Sequence, residues 1–228
     1  IAAHSLGIDA EKLTYAGGNV LAPDGRKHTW QDAVELAHRQ FHNLPEGMDP
    51  GLAAFDIMQV PTGNALPVDG KVHMYPCYSF EFHLVLLAFD PVIGRPEIHS
   101  YTVGHDCGTV INPAIVSGMT YGGIAHGIGA ALLEEFAYDP NGQLMTQSFL
   151  DYLMPSSHEV PPIQIVKHCT PSPHTVFGQK GSGESGYLGS PAAISSAIND
   201  AVSALDIRFE KLPIRMSAIS DAIANKSA

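Results

Sequence analysis

Hydrophobic and polar positions change rhythm several times along the chain, and each change marks an element. Glu81–Phe89, inside FEFHLVLLAFD, reads as a strong strand, and the apolar run in its second half predicts cover on both faces. A turn at Pro91–Gly94 leads into a second strand over Glu97–Val103. From Ala114 to Phe136 the chain is nearly all apolar but broken by glycines at 118, 122, 123, 127 and 129. On a helix, Gly118 and Gly122 share one face and Gly123 and Gly127 another. Small residues at that spacing let a backbone or a ligand come close, at a cost in helix stability. Ala192–Leu205 is amphipathic, with Ile194, Ile198, Ala201, Val202 and Leu205 on its apolar stripe, and Ser217–Asn225 predicts a last short helix.

The front of the chain is built from smaller pieces. Ile1–Leu6 predicts a short helix stopped by Gly7. This opening carries no Met and reads as the second half of a helix, so further chain is expected before it. Leu13–Tyr15 and Asn19–Leu21 flank Gly17-Gly18 as a hairpin, and Asp24-Gly25 makes the next turn. Thr29 caps a helix over Trp30–Arg39, with Asp32 completing a capping box and Ala33, Leu36 and Ala37 on one face. Residues 43–79 lack periodicity and carry five prolines, which suits a functional loop or one that wraps a partner. Asp139-Pro140-Asn141-Gly142 is a turn, and Phe149–Pro155 and Ile163–His168 predict short extended segments. Strands and helices mix without a βαβ rhythm, so the expected class is α+β, in one unit over residues 1–228 with a subdivision near 80–105.

Charge and composition then remove several functions. A formal net charge of −11 with no basic stripe argues against nucleic-acid binding. No apolar run is long enough to span a bilayer. Three separated cysteines, Cys77, Cys107 and Cys169, fit a reducing, cytoplasmic setting rather than a disulfide scaffold. None forms a CxxC pair, which argues against an iron–sulfur or zinc-finger site within these residues. The twelve histidines are scattered, and the His38/His42 pair flanks a helix end rather than forming a metal site.

The densest chemical signal is Gly178-Gln179-Lys180-Gly181-Ser182-Gly183-Glu184-Ser185-Gly186. Four glycines in nine residues exclude a regular element and suit a loop whose backbone N–H groups approach something closely. Glu184 is the one carboxylate on it, a candidate general base, with Lys180 four residues before. A solvated surface turn would use the same residues. Gly181-x-Gly183-x-x-Gly186 also spells a dinucleotide fingerprint, but Pro171 and Pro173 precede it and the next helix starts only near Pro191, so the required strand–turn–helix context is missing.

Four stretches, in order, resemble the molybdenum hydroxylase family of xanthine dehydrogenase, aldehyde oxidoreductase and aerobic carbon monoxide dehydrogenase. They are Asp106-Cys107-Gly108…Asn112-Pro113, Gly118…Gly122-Gly123-Ile124-Ala125-His126-Gly127…Glu134-Glu135, Phe149-Leu150-Asp151-Tyr152…Pro155, and Lys180–Gly186…Gly189-Ser190-Pro191. The resemblance covers nearly the whole chain but only the C-terminal part of that family's large subunit. It implies a molybdenum–pyranopterin cofactor, in a dinucleotide form, at which an electron-poor carbon is hydroxylated with water as oxygen source. It also implies that Glu184 is the base, and that Lys180, Gly181, Ser182, Gly183 and His126 contact the cofactor with no direct metal ligand from this chain. Many relatives have Gln where His126 stands, which alters that contact. The implied partners are the remaining large-subunit segment, iron–sulfur and flavin (FAD) subunits or domains, and a small-molecule substrate. Besides this enzyme, two alternatives stay open: a non-catalytic module that stabilises a partner molybdenum subunit, and a metallohydrolase using His105 and Asp106.

Overall fold

A computed structural model of the chain describes residues 1–57, 67, 69–72 and 75–227. The proline-punctuated stretch 43–79 therefore lies partly outside the described residues. The chain forms two compact units, Ile1–Gln59 and Val60–Ala228, and the whole of 80–105 lies inside the second.

In the first unit, helix α1 (Ala2–Leu6) ends at Gly7 in the left-handed conformation. Strands β1 (Thr14–Ala16) and β2 (Asn19–Leu21) pair antiparallel through Gly17 and Gly18, whose φ values of 57° and 75° suit a hairpin turn. A third strand, β3 (Lys27–Thr29), pairs with β2. The sequence reading did not anticipate it, because three residues leading straight into a cap carry no alternation. Helix α2 (Trp30–His38) begins with the expected capping box. The Asp32 N–H donates to Thr29 Oγ1 at 3.1 Å, and the Thr29 N–H donates to the Asp32 carboxylate at 2.8 Å.

The second unit holds the site. Strands β4 (Phe80–Asp90) and β5 (Arg95–Asp106) form a long antiparallel hairpin with a bulge between Leu86 and Leu87. Strand β6 (Ile163–His168) runs parallel to β5, Tyr101 opposite Ile163. Helix α3 (Pro113–Leu132) lies in the connection between them, so one βαβ crossover exists where none was expected. The mixed sheets and helices are α+β in class. Helix α3 starts where Asn112 Oδ1 accepts the N–H groups of Ala114 and Ile115, and stops at Leu132, short of the apolar run's end at Phe136.

Helix α4 (Ser190–Ala201) buries Ile194 and Ile198, and Val202 just beyond its end is also buried. Ala201 and Leu205, assigned to that stripe from periodicity, are exposed because the chain tightens into a 3₁₀ turn after Ala201. Helix α5 (Met216–Ser227) closes the core with Ile219. Tyr101 and Val103 of β5, Ile124 and Ile128 of α3, and Ile194 and Ile198 of α4 form the centre of that core. Burying each such side chain stabilises by about 1.5–3 kcal/mol.

Two extended readings change. Phe149–Pro155 is not a strand: the N–H groups of Asp151 and Tyr152 both turn back to the Ser148 carbonyl, at 3.0 and 2.8 Å. Strand β4 is covered on one face only. Val85, Leu87 and Phe89 pack on the core, whereas Phe82, Leu84 and Leu86 are exposed. The period-2 pleat sends alternate side chains to opposite faces, and the uninterrupted apolar run concealed that alternation.

Candidate active site

The glycine loop lies on a bed made by the end of β5. Beyond Asp106, the chain pairs with the start of the loop: the Lys180 N–H donates to the Cys107 carbonyl at 2.8 Å and the Thr109 N–H to the Gly178 carbonyl at 3.1 Å. Gly108 sits at φ 66°, where an added Cβ would stand 2.2 Å from the Gly178 carbonyl oxygen, so only glycine fits. Asp106 is buried beneath this pairing. Its carboxylate accepts the Gly108 N–H at 2.8 Å, the Thr170 N–H at 3.1 Å, the Thr170 hydroxyl, and the Lys180 ammonium at 3.2 Å. Burial alone would raise its pKa, but these donors together hold the carboxyl well below the usual range.

Lys180 was expected at the cofactor. Its ammonium instead reaches inward, to Asp106 and to Thr170 Oγ1 at 2.7 Å, and sits 5.3 Å from the centre of the Phe80 ring. Its side chain is 7% exposed. The cation anchors the root of the loop.

Helix α3 supports the loop from the other side. A Cβ on Gly123 would stand 2.0 Å from the Ser185 carbonyl oxygen, and one on Gly127 would stand 1.5 Å from Ser190 Oγ. Gly123 therefore admits the loop's backbone, one of the two uses the spacing suggested, whereas Gly127 makes room for the Ser190 side chain. Among the described residues nothing lies within 4 Å of a Cβ added to Gly118 or Gly122, and nothing there explains glycine at these positions. His126 is exposed on α3 and meets Tyr187 edge-on, ring centres 6.3 Å apart.

Under the loop lies a polar cluster that the sequence reading missed. Glu81 on β4 accepts the Gly186 N–H with both carboxylate oxygens, at 2.9 and 2.7 Å. His83 and His105 flank it at 3.4 and 3.7 Å. His105 Nε2 in turn lies 2.9 Å from Ser185 Oγ and 3.3 Å from Ser182 Oγ, and the two hydroxyls are 2.6 Å apart. A usable signal was present: Glu81 and His83 share the face of Val85 and Leu87, so alternation places polar groups on an inward face. His105 and Asp106 point to different partners, serines and the Lys180–Thr170 pair respectively, so they do not converge as a metallohydrolase site would require.

The tip of the loop is of a different kind. Beside Gly181 and Gly183 an added Cβ would meet nothing within 4 Å among the described residues. Among the described residues no acceptor takes the N–H groups of Gly181, Ser182, Gly183 or Glu184. Glu184 is exposed, and with Gly181 and Gly183 it lines a cavity of about 650 Å³ whose lining also includes Tyr75, Tyr78 and Leu188. No strand leads into the loop and the next helix starts at Ser190, so the dinucleotide context is absent.

Residues 1–161 match the family of molybdopterin cofactor-binding domains. The chain is 43% identical over 218 residues to the nicotine 6-hydroxylase large subunit of Paenarthrobacter nicotinovorans, covering 93% of this chain and 25% of that one. It is 28% identical over 213 residues to the carbon monoxide dehydrogenase large chain of Hydrogenophaga pseudoflava, with coverage of 93% and 25%. The crystal structure of quinoline 2-oxidoreductase from Pseudomonas putida 86 superposes with a TM-score of 0.75 at 32% identity, covering 97% of this chain and 27% of that one. The chain thus spans about a quarter of the length of the curated relatives it matches.

Proposed function

The chain belongs to the molybdopterin cofactor-binding domain family, and we propose that it carries the base-bearing wall of a molybdenum hydroxylase. The observation that carries this reading is the loop tip: open space beside Gly181 and Gly183, unclaimed N–H groups from Gly181 to Glu184, and one exposed carboxylate on the same rim. That cradle fits a large polar cofactor, which the N–H groups of Gly181, Ser182 and Gly183 would hold from one side. When bound, the cofactor would supply a redox-active molybdenum centre to take up the hydride equivalent, and with it the two electrons, of the substrate carbon–hydrogen bond that breaks.

The chain's own part is proton transfer and positioning. Glu184 takes a proton from the water that provides the new oxygen, as the carbon–oxygen bond forms. A positioned base of this kind is worth about 10²–10⁴ in rate. Lys180 acts through the loop root, by pairing with Asp106, rather than through the cofactor itself. His126 and Tyr187 form an edge beside the loop that can meet the cofactor's flank.

For the substrate we propose an electron-poor nitrogen heteroaromatic ring. The relatives named for nicotine and quinoline are 43% and 32% identical, against 28% for the carbon monoxide dehydrogenase chain. The Tyr75, Tyr78 and Leu188 walls suit a flat apolar ring. A dinucleotide form of the cofactor, iron–sulfur and FAD partners, and a cytoplasmic setting complete the proposal. Relatives named as large and gamma subunits support the heteromeric part, and the free thiols of Cys77, Cys107 and Cys169 support the setting. Among the described residues no helix is long and apolar enough to cross a membrane. Replacing Glu184 by Gln in metallated enzyme tests the central assignment.

A further inference from the structure

Glu81 occupies an unusual place on β4. Residues further along the same face, Val85, Leu87 and Phe89, join the apolar core, whereas Glu81 puts a carboxylate there, 14% exposed. Burial opposes its charge, yet the His83 ring, the Gly186 N–H and the nearby His105 hold the carboxyl below its ordinary range. His105 is lowered as well, but here burial is the cause, outweighing Glu81 and Asp106, which raise it.

The contacts of this pair fall on both sides of Glu184. Two residues after it, Gly186 donates its N–H to Glu81 and packs so closely on α3 that a Cβ added there would stand 2.2 Å from the Thr120 carbonyl oxygen. Ser182 before it and Ser185 after it share His105 Nε2. Between these fixed points stand Gly183 and Glu184, whose N–H groups have no acceptor among the described residues. The base is thus carried on a short span fastened at both ends, with Glu81 the buried anion at one of them.

We propose that Glu81 is a positioning residue, which sets the place of Glu184 by accepting the Gly186 N–H. The inference rests on the reading of Glu184 as the base. An amide side chain retains an acceptor oxygen for that N–H, whereas a methyl group does not. In the molybdenum-loaded full-length protein, Glu81→Ala should lower kcat by about tenfold to a hundredfold, the range expected for an approximately 1 Å misplacement of a reacting group. KM and molybdenum content should stay within about twofold. Glu81→Gln should recover most of the rate. Hydrogen–deuterium exchange over residues 178–190 should rise in Glu81→Ala and stay near wild type in Glu81→Gln. Should Glu81→Ala not fold, Glu81→Met fills similar volume, offers no comparable acceptor and reads the same quantities. Unchanged exchange and unchanged kcat in Glu81→Ala (or Glu81→Met) overturn the proposal, as does a loss that Gln does not recover. Exchange reports loop position without chemistry, so active Glu184→Gln enzyme would sink the base assignment while leaving the exchange result readable.

Discussion

The ammonium of Lys180 lies 3.2 Å from Oδ2 of Asp106, and that pair joins two segments 74 residues apart. Because Asp106 titrates well below an unfolded aspartate, which is near 4, it contributes stability above about pH 4. That contribution is lost as pH falls through the depressed folded value. Asp106→Asn leaves the Lys180 cation buried without its counter-charge, and should destabilise by about 3 kcal/mol near neutral pH. Thermal melts across pH should show wild type and Asp106→Asn converging only in strong acid. A constant gap down to the lowest pH would contradict the pairing.

The loop's glycines should separate by role. Gly186 has φ 85° and no room for a Cβ, so Gly186→Ala should cost about 3 kcal/mol or more and disrupt the seat on α3. Among the described residues a Cβ added to Gly183 meets nothing within 4 Å, so the folding of Gly183→Val should change by less than about 1 kcal/mol. Its molybdenum content should nevertheless fall, because the added side chain enters the cofactor's cradle. Full metallation of Gly183→Val would argue that the tip is an ordinary solvated turn.

His126 gives a test of the α3 edge. His126→Gln keeps a donor and an acceptor and should hold molybdenum as wild type does. His126→Leu still offers apolar surface to Tyr187 but removes the polar group proposed to meet the cofactor, and should lower metal content. Equal metal by elemental analysis in both variants would show that the position only packs.

Much of this architecture was legible because local chemistry declared it. Thr29 and Asp32 announced a capping box, Asn112-Pro113 a helix start, and Asp139–Gly142 a turn closed by the Gly142 N–H at 3.0 Å from the Asp139 carbonyl. The irregular loop was legible for the same reason, since four glycines in nine residues exclude a regular element. What long-range contact decides stayed hidden. Lys180 carries nothing in its neighbours to say that its partner is Asp106 rather than a ligand. Glu81 and His83 lay inside a strand whose apolar remainder drew the eye from its alternation. The exposed row of Phe82, Leu84 and Leu86 was concealed likewise, since a run of apolar residues is equally consistent with one covered face or two.

Glu184, as proposed, moves the proton. Glu184→Gln preserves the size and hydrogen-bonding shape of the side chain, and Glu184 is exposed, so folding and molybdenum content should match wild type. The measurement is single-turnover oxidation of a nitrogen heteroaromatic substrate by the full-length protein, with molybdenum quantified in the same sample. The rate should fall by at least about a hundredfold per bound molybdenum. A fully metallated Glu184→Gln protein turning over at near the wild-type rate would contradict it.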